Sequence, residues 1–403
     1  MNILTFTTLY PNAAQPYHGV FVENRLRHLV ASGEIDARVV APVPWFPLTG
    51  PRFGRYAALA GVPAREERFE LAVDHPRYVV IPKVGMSAAP FLLYAAARAA
   101  VERVIETGYD FALIDAHYFY PDGVAAAMLG RRFGKPVSIT ARGTDLNLIP
   151  KHALARRMIQ WAAGRAAGLV TVCQALKDAL VELDVPVERV RVLRNGVDLD
   201  LFRPVDRAAA RAGLGVDGPT LLAAGHLIAR KSHDLVIAAL PALPGMCLVI
   251  VGDGPEERSL KALARRLGVE DRVRFLGRIA HEEMRDVYTA ADALVLASSR
   301  EGWANVLLEA MACGTPVVAS NVWGTPEVVA SPAAGVLMPE RTADGVAQGV
   351  RALFAALPDR AATRAYAEGF SWDATTRGQL DLFADIVGRG EPGPDVTPGS
   401  GPR

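Results

Sequence analysis

Short unbroken apolar runs recur along the chain, each followed by a longer segment whose apolar positions return every third or fourth residue. In the first half the runs are Ile3–Thr7, Ala37–Val43, Phe111–Asp115, Val137–Thr140, Leu169–Val172 and Val190–Leu193. The helical segments between them are Val20–Ser32, Pro90–Glu106, Gly123–Phe133, Ala153–Ala163 and Ala175–Leu183. The second half repeats the alternation. Strands are predicted at Leu221–Ala224, Leu248–Val251, Val273–Leu276, Leu294–Ala297 and Val317–Ala319, and helices at Asp234–Leu240, Pro255–Leu267, Glu282–Ala291 and Val306–Ala312. Continuous rather than alternating apolar strands are those covered on both faces, so the sheets should be parallel. Two such arrays in series predict an α/β protein of two Rossmann-like domains with right-handed crossovers.

The first domain is assigned to residues 1–204 and the second to 205–371, and 403 residues suit two cores better than one. The stretch from Arg194 to Pro204 reads as the linker, with Asn195-Gly196 as its turn signal. Between Pro42 and Arg77 prolines and glycines cluster, which predicts a long irregular loop. A last helix is expected over 372–388, and the Gly- and Pro-rich tail 389–403 has little to bury and is expected to be disordered.

Candidate chemistry concentrates at the carboxyl ends of the predicted strands, where open α/β sheets bind ligands. The stretch Glu301-Gly-Trp-Ala-Asn-Val-Leu-Leu-Glu309 sets one carboxylate in a loop after a strand and a second about one turn into the next helix. The backbone N–H groups of Gly302, Trp303, Ala304 and Asn305 would favour an anion there. Carboxylates on either side of a phosphate-binding helix start suit a sugar nucleotide, one for sugar hydroxyls and one for the ribose diol. Arg230 and Lys231 stand together on a loop leading into a helix, where cations oppose the helix dipole and so ask for a reason. Val251-Gly-Asp-Gly-Pro-Glu-Glu257 reads as a mainly structural strand-to-helix turn, with Asp253 as a cap and Gly252 near the donor. In the first domain Gly19 opens a helix and lets a phosphate or sugar approach the backbone. Arg142 is suited to bidentate hold of a phosphate or carboxylate. Asp145 would bind acceptor hydroxyls or orient Arg142, a helix cap being the plain alternative; His117 is the nearby imidazole on the acceptor side.

Glu301 to Gly314, followed by Thr315-Pro-Val-Val-Ala-Ser320, closely resembles the signature of glycosyltransferase family 4, retaining enzymes with a Glu-x7-Glu motif. The usual family form has Phe and Gly where this chain has Trp303 and Ala304. The resemblance implies a GT-B fold, in which two Rossmann-like domains face a central cleft and the last helix crosses back to the first domain. It also implies that Lys231 grips the donor diphosphate, that His226 replaces the family arginine at that subsite, and that Arg278 lines the nucleobase. Arg142 stands where many relatives carry a histidine near the donor sugar. The implied reaction is metal-free transfer of a hexose from a UDP- or GDP-linked donor to a glycan or lipid-linked acceptor, the departing phosphate serving as base. The chain looks like members that build bacterial envelope or exported polysaccharides.

Composition narrows this further. A net charge of +1 argues against a nucleic-acid partner. Residues 1–205 hold 24 Lys/Arg against 19 Asp/Glu, net +5, and the remainder is net −4, which fits a first domain that meets an anionic acceptor or surface. Lys151–Arg165 would suit an interfacial helix, although packing on a sheet is the favoured reading, since any α/β helix must bury an apolar stripe. Cys173, Cys247 and Cys313 are scattered and odd in number, as free thiols in a reducing compartment would be. The chain opens on a strand without the marks of a secretory leader and has no membrane-length apolar run, so a cytoplasmic enzyme, free or at the inner membrane face, is expected. No metal-ligand spacing, Walker loop or full Gly-x-Gly-x-x-Gly is present. The rival readings are a sugar-nucleotide epimerase or phosphorylase on the same fold, and a non-catalytic sugar-nucleotide-binding partner of another transferase.

Overall fold

The computed structural model describes residues 1–45, 55–80 and 85–388. The tail expected to be disordered and part of the predicted 42–77 loop lie outside them. The chain forms two compact units: residues 1–170, 180–191 and 376–403 make the first, and 171–179 and 192–375 the second.

In the first unit the strands are β1 (Asn2–Phe6), β2 (Asp36–Val40), β3 (Val43–Trp45), β4 (Arg65–Arg68), β5 (Leu71–Asp74), β6 (Arg77–Val79), β7 (Leu113–His117), β8 (Val137–Ala141), β9 (Gly168–Thr171) and β10 (Val190–Val192). Eight of them form one sheet in the order β10-β9-β8-β7-β1-β2-β5-β4, while β3 and β6 pair separately. β1 runs parallel to both β2 and β7, so the order reverses between β1 and β7. The sequence reading missed β4 and β5. They form an antiparallel hairpin turned by Phe69 and Glu70, both at positive φ, without the Asn or Gly that announces such a turn. β5 then joins β2 in parallel through the apolar positions Leu71 and Val73.

In the second unit β11 (Thr220–Ala224), β12 (Cys247–Val251), β13 (Val273–Gly277), β14 (Ala293–Leu296), β15 (Val317–Ser320) and β16 (Gly335–Met338) form a sheet in the order β13-β12-β11-β14-β15-β16. All its pairs are parallel, and the order reverses between β11 and β14. Its core is built from the continuous apolar strands, among them Leu221, Ile250 and Val295, against Val236, Leu260 and Val350 from the covering helices. β16 and the helices Ala343–Ala355 and Arg360–Glu368 extend beyond the predicted set; the helices are capped by Thr342 and Asp359, whose side chains accept from Gly345 and Ala361 N–H. The last helix, Trp372–Gly388, begins in the second unit and continues in the first, where Leu382 and Ile386 pack so closely on Gly168 that a Cβ there would stand 2.7 Å from Ile386.

Candidate active site

The reversal of strand order in the second unit brings the loop after β11 beside the loop after β14, the position at which doubly wound sheets leave a crevice. The first loop carries Arg230 and Lys231 and the second carries Glu301. Lys231 Nζ lies 2.7 Å from Glu301 Oε1 and Arg230 Nη1 lies 3.2 Å from Oε2. Arg230 also donates to Arg300 O, and its own carbonyl accepts from Ser299 N–H at 2.8 Å, which stitches the two loops together. Glu301 is nearly buried. Burial opposes its ionisation, yet Lys231 and Arg230 outweigh that and hold the carboxyl below its ordinary range. The cluster is thus two cations on one anion, with a net positive charge. The family resemblance assigns Lys231 to a diphosphate; in the structure both Lys231 and Arg230 face Glu301.

Glycines let these loops approach. Gly252 follows β12 at φ 136, and a Cβ there would stand 2.0 Å from Gly225 O. Its need is therefore backbone contact within the unit. Gly225 itself, at φ 134, leaves room for the Lys231 stem, whose Cε would lie 3.4 Å from an added Cβ. At the mouths of β12 and β13, Arg278 pairs with Asp253 at 2.7 Å, and His226 donates Nδ1–H to Asp253 O at 2.7 Å. Asp253 does not cap the following helix, which begins later, at Glu257. His233 is buried behind the loop, and burial first, then Lys231, pushes its imidazole down to about 4, so it stays neutral.

Glu309 is held apart from that cluster. Its Oε2 accepts from Tyr288 Oη at 2.8 Å and Oε1 lies 3.4 Å from His281 Nε2. Phe202 packs edge-on against both rings. Burial lowers His281 but its hydrogen bond and attraction to Glu309 raise it more, so the imidazole sits above its ordinary value. The side chains of Trp303 and Asn305, whose backbone N–H groups are the expected donor contacts, reach the linker. Trp303 Nε1 donates to Asn195 O at 3.0 Å, and Asn305 Oδ1 accepts from Asn195 Nδ2 at 3.3 Å. With Ala304 buried beside them, Trp303 and Asn305 clamp the Asn195 segment. The indole N–H of Trp303 serves that anchor. Gly302 O closes on Gly324, where a Cβ would stand 2.3 Å away.

The first unit carries its own polar cluster at the carboxyl ends of β7 and β8. Arg142 Nη2 donates to His117 Nδ1 at 2.5 Å, so Nδ1 is the acceptor and Nε2–H points to Asp115 Oδ2 at 3.1 Å. A neutral ring follows, and burial, opposed by Asp115, pushes His117 down to about 4. Asp115 in turn accepts from Gln379 Nε2 at 3.0 Å, and Arg25 Nε donates to Gln379 Oε1 at 2.7 Å. These arrangements bear on three sequence expectations, and at Asp145 they favour the orienting of Arg142. His117 has both nitrogens occupied and is buried, so it forms the wall of the site. Asp145 is fully buried and accepts from Phe119, Arg142 and Gly143 N–H, at 2.7, 3.1 and 2.6 Å, so it shapes the loop that presents Arg142 and offers no oxygen to an acceptor. Gly19 faces the backbone of Leu9, where a Cβ would stand 2.3 Å away at φ 74, so only glycine fits at this helix start.

Arg25, Gln379, Asp115, Tyr288 and His281 escaped the sequence reading. A signal existed for two of them. Arg25 sits among Val22, Leu26 and Leu29 on the buried face of its helix, and Gln379 sits among Leu382, Phe383 and Ile386 on the buried face of the last one. A polar residue inside an apolar stripe demands a buried partner. Among the described residues no group of three His, Cys, Asp or Glu side chains is placed to hold a metal ion, and no helix is long and apolar enough to cross a membrane.

Two doubly wound units, each with charged groups at the carboxyl ends of its strands, define the GT-B fold. Solved structures share the fold. Sucrose-phosphate synthase from Thermosynechococcus elongatus aligns over 96% of this chain and 99% of its own with a TM-score of 0.77 at 22% identity, and HepE of Anabaena in complex with UDP aligns over 95% and 100% with 0.71 at 21%. Residues 19–201 match the family model for Glycosyltransferase Family 4 and residues 206–370 that for Glycosyl transferases group 1. A D-inositol 3-phosphate glycosyltransferase of Saccharomonospora viridis is 37% identical over 313 residues, 70% of this chain and 72% of its own length. The chain belongs to glycosyltransferase family 4 and is an enzyme of the hexosyltransferase type.

Proposed function

We propose that the second unit binds a UDP- or GDP-linked hexose and that the enzyme transfers the sugar with retention to a hydroxyl of a glycan or lipid-linked acceptor, in polysaccharide assembly. The observation that carries this reading is the positive cluster of Lys231, Arg230 and Glu301 at the strand reversal. An arriving diphosphate would share Lys231 and Arg230 with Glu301, and Glu301 would turn its remaining lone pairs to sugar hydroxyls. The charge developing on the departing phosphate is then met by fixed cations, without a divalent metal or an enzymic nucleophile. HepE, which shares the fold, was solved with UDP. Arg142, whose place is set by His117 and Asp145, is the group for an anionic acceptor; the relative from Saccharomonospora is named for a phosphate-bearing acceptor. Free cysteines at Cys173, Cys247 and Cys313 fit a reducing, cytoplasmic setting.

The test is turnover of UDP- and GDP-hexoses by the purified chain with EDTA present. Release of the nucleoside diphosphate with transfer, at a rate unchanged by EDTA, is expected. Loss with EDTA and rescue by magnesium or manganese would replace the metal-free reading. Donor candidates are ranked by thermal shift, since a ligand at 100 times its Kd stabilises by about 2.7 kcal/mol.

Glu309 is the proposed ribose ligand, with two of its about four lone-pair sites taken by Tyr288 and His281. Glu309→Gln is expected to weaken UDP binding by about 1–3 kcal/mol, the scale of one charge-assisted hydrogen bond. Calorimetric titration reads this directly, and an unchanged affinity removes Glu309 from the donor site.

A further inference from the structure

The helix Ala153–Arg165 has two apolar faces. Ala155, Ile159, Ala162 and Ala163 are buried, which satisfies the stripe any helix on a sheet must cover. Leu154, Met158 and Trp161, spaced i, i+4 and i+7, lie outside that stripe, and Leu154 is 50% exposed. Met158 and Trp161 form one wall of a groove of about 810 Å³ in the first unit, with Phe91 and Tyr94 from the helix Ala89–Glu106 and Met128 from the helix Val124–Phe133. Phe91 is itself 51% exposed.

The charge at this groove has one sign. Arg131, Arg132 and Arg157 complete the lining, and no carboxylate lines it among the described residues. The helices Val124–Phe133 and Ala153–Arg165 contain no acidic residue at all. Arg131 and Arg157 take part in none of the ion pairs among the described residues. An apolar trough rimmed by guanidiniums matches an amphiphile with a methylene chain and an anionic phosphate. A free sugar phosphate would leave the apolar wall in water. A second copy of the chain, docking by a twofold axis, would bring the same arginines against these.

We propose that this groove seats the acyl chain of an anionic membrane glycerophospholipid, with Arg131, Arg132 and Arg157 on its phosphate, so that the first unit docks on an anionic bilayer. The chemistry is independent of the donor reading, since every residue of the groove lies in the first unit.

The intact chain is sedimented with vesicles of phosphatidylcholine alone and with phosphatidylglycerol added. Binding to the anionic vesicles only, weakening as salt rises, is expected. Arg131→Gln combined with Arg157→Gln should lower that binding about 25-fold, about fivefold for each arginine. Acyl-chain seating is read separately: lipid brominated on its chain should quench Trp161 fluorescence, and the quenching should vanish in Trp161→Phe. Melting temperatures close to the parent's certify that the variants are folded. Absence of sedimentation at low salt, parent-like binding by the double arginine variant, or undiminished quenching in Trp161→Phe would each overturn the proposal. So would a dimer dissolved by Met158→Glu in a protein that ignores vesicles, which would assign the groove to a second copy.

Discussion

Lys231→Ala is expected to lower kcat by about 10²–10³-fold, the loss that follows removal of one fixed donor from a developing anion. The Lys231 side chain is only 13% exposed and its ammonium stands 2.7 Å from the carboxylate of Glu301, whose side chain is 8% exposed. Its removal therefore also touches stability. Glu301 would be left buried with Arg230 alone at 3.2 Å, and breaking a buried pair from one side costs up to about 3–5 kcal/mol. A loss of turnover in this variant alone would not distinguish a phosphate ligand from a mere counter-ion. The double variant Lys231→Met with Glu301→Gln does. It removes both charges, so the stability penalty should largely disappear, while turnover should fall well below that of Glu301→Gln alone because nothing replaces the cation at the leaving group. The measurements are a melting curve and kcat for the two single variants and the double. Turnover that returns with stability in the double variant would reduce Lys231 to a partner of Glu301. The pair also sets a pH dependence. Glu301 has a folded-state pKa below its ordinary value, so its contribution to stability is complete above the ordinary carboxylate range and is lost as pH falls through the lowered value.

The sheets were legible because their strands are continuous apolar runs and their loops break at glycine or proline. The predicted strand from Leu221 to Ala224 and the observed Thr220–Ala224 differ by one residue, and Val317–Ala319 against Val317–Ser320 likewise. The hairpin of β4 and β5 was not legible. Its Arg-Glu-Glu-Arg strand sits at a sheet edge, where polar positions are tolerated, and its turn uses Phe69 and Glu70 at positive φ. At the site, residue types were legible and partners were not. Sequence spacing placed Glu301 and Lys231 on loops after strands, but only the reversal between β11 and β14 makes those loops neighbours. Spacing also made Glu301 and Glu309 look like a pair. The helix from Asn305 turns the second carboxylate toward Tyr288 and His281, partners 21 and 28 residues upstream that no local pattern could name. The helix start at Trp303 and Asn305 is legible for its backbone N–H groups, whereas their side chains reach a linker residue, Asn195, that no local pattern names.

Asp145→Ala is expected to destabilise the protein by about 3–5 kcal/mol, because it strands several buried backbone donors at about 1–3 kcal/mol each. The carboxylate accepts Phe119 N–H at 2.7 Å, Gly143 N–H at 2.6 Å and Arg142 N–H at 3.1 Å, and it is fully buried. These three donors belong to two loops, one after β7 and one after β8. Asp145 is thus the joint between them. Gly143 stands at φ 144 and ψ −84, a conformation closed to other residues, so the loop has no relaxed alternative once its acceptor is gone. Asp145→Asn keeps one oxygen but sets an amide NH₂ against the remaining donors, and it should fall between the parent and the alanine variant. Urea unfolding followed by circular dichroism gives the shift. UDP titration supplies the control: the second unit holds the proposed donor site, so UDP affinity should survive in both variants below their unfolding range. A loss under about 1 kcal/mol for Asp145→Ala would mean that water satisfies those N–H groups and that the loop presenting Arg142 is held by something else. A large loss with UDP binding intact would place Asp145 in the architecture of the first unit, as the geometry has it.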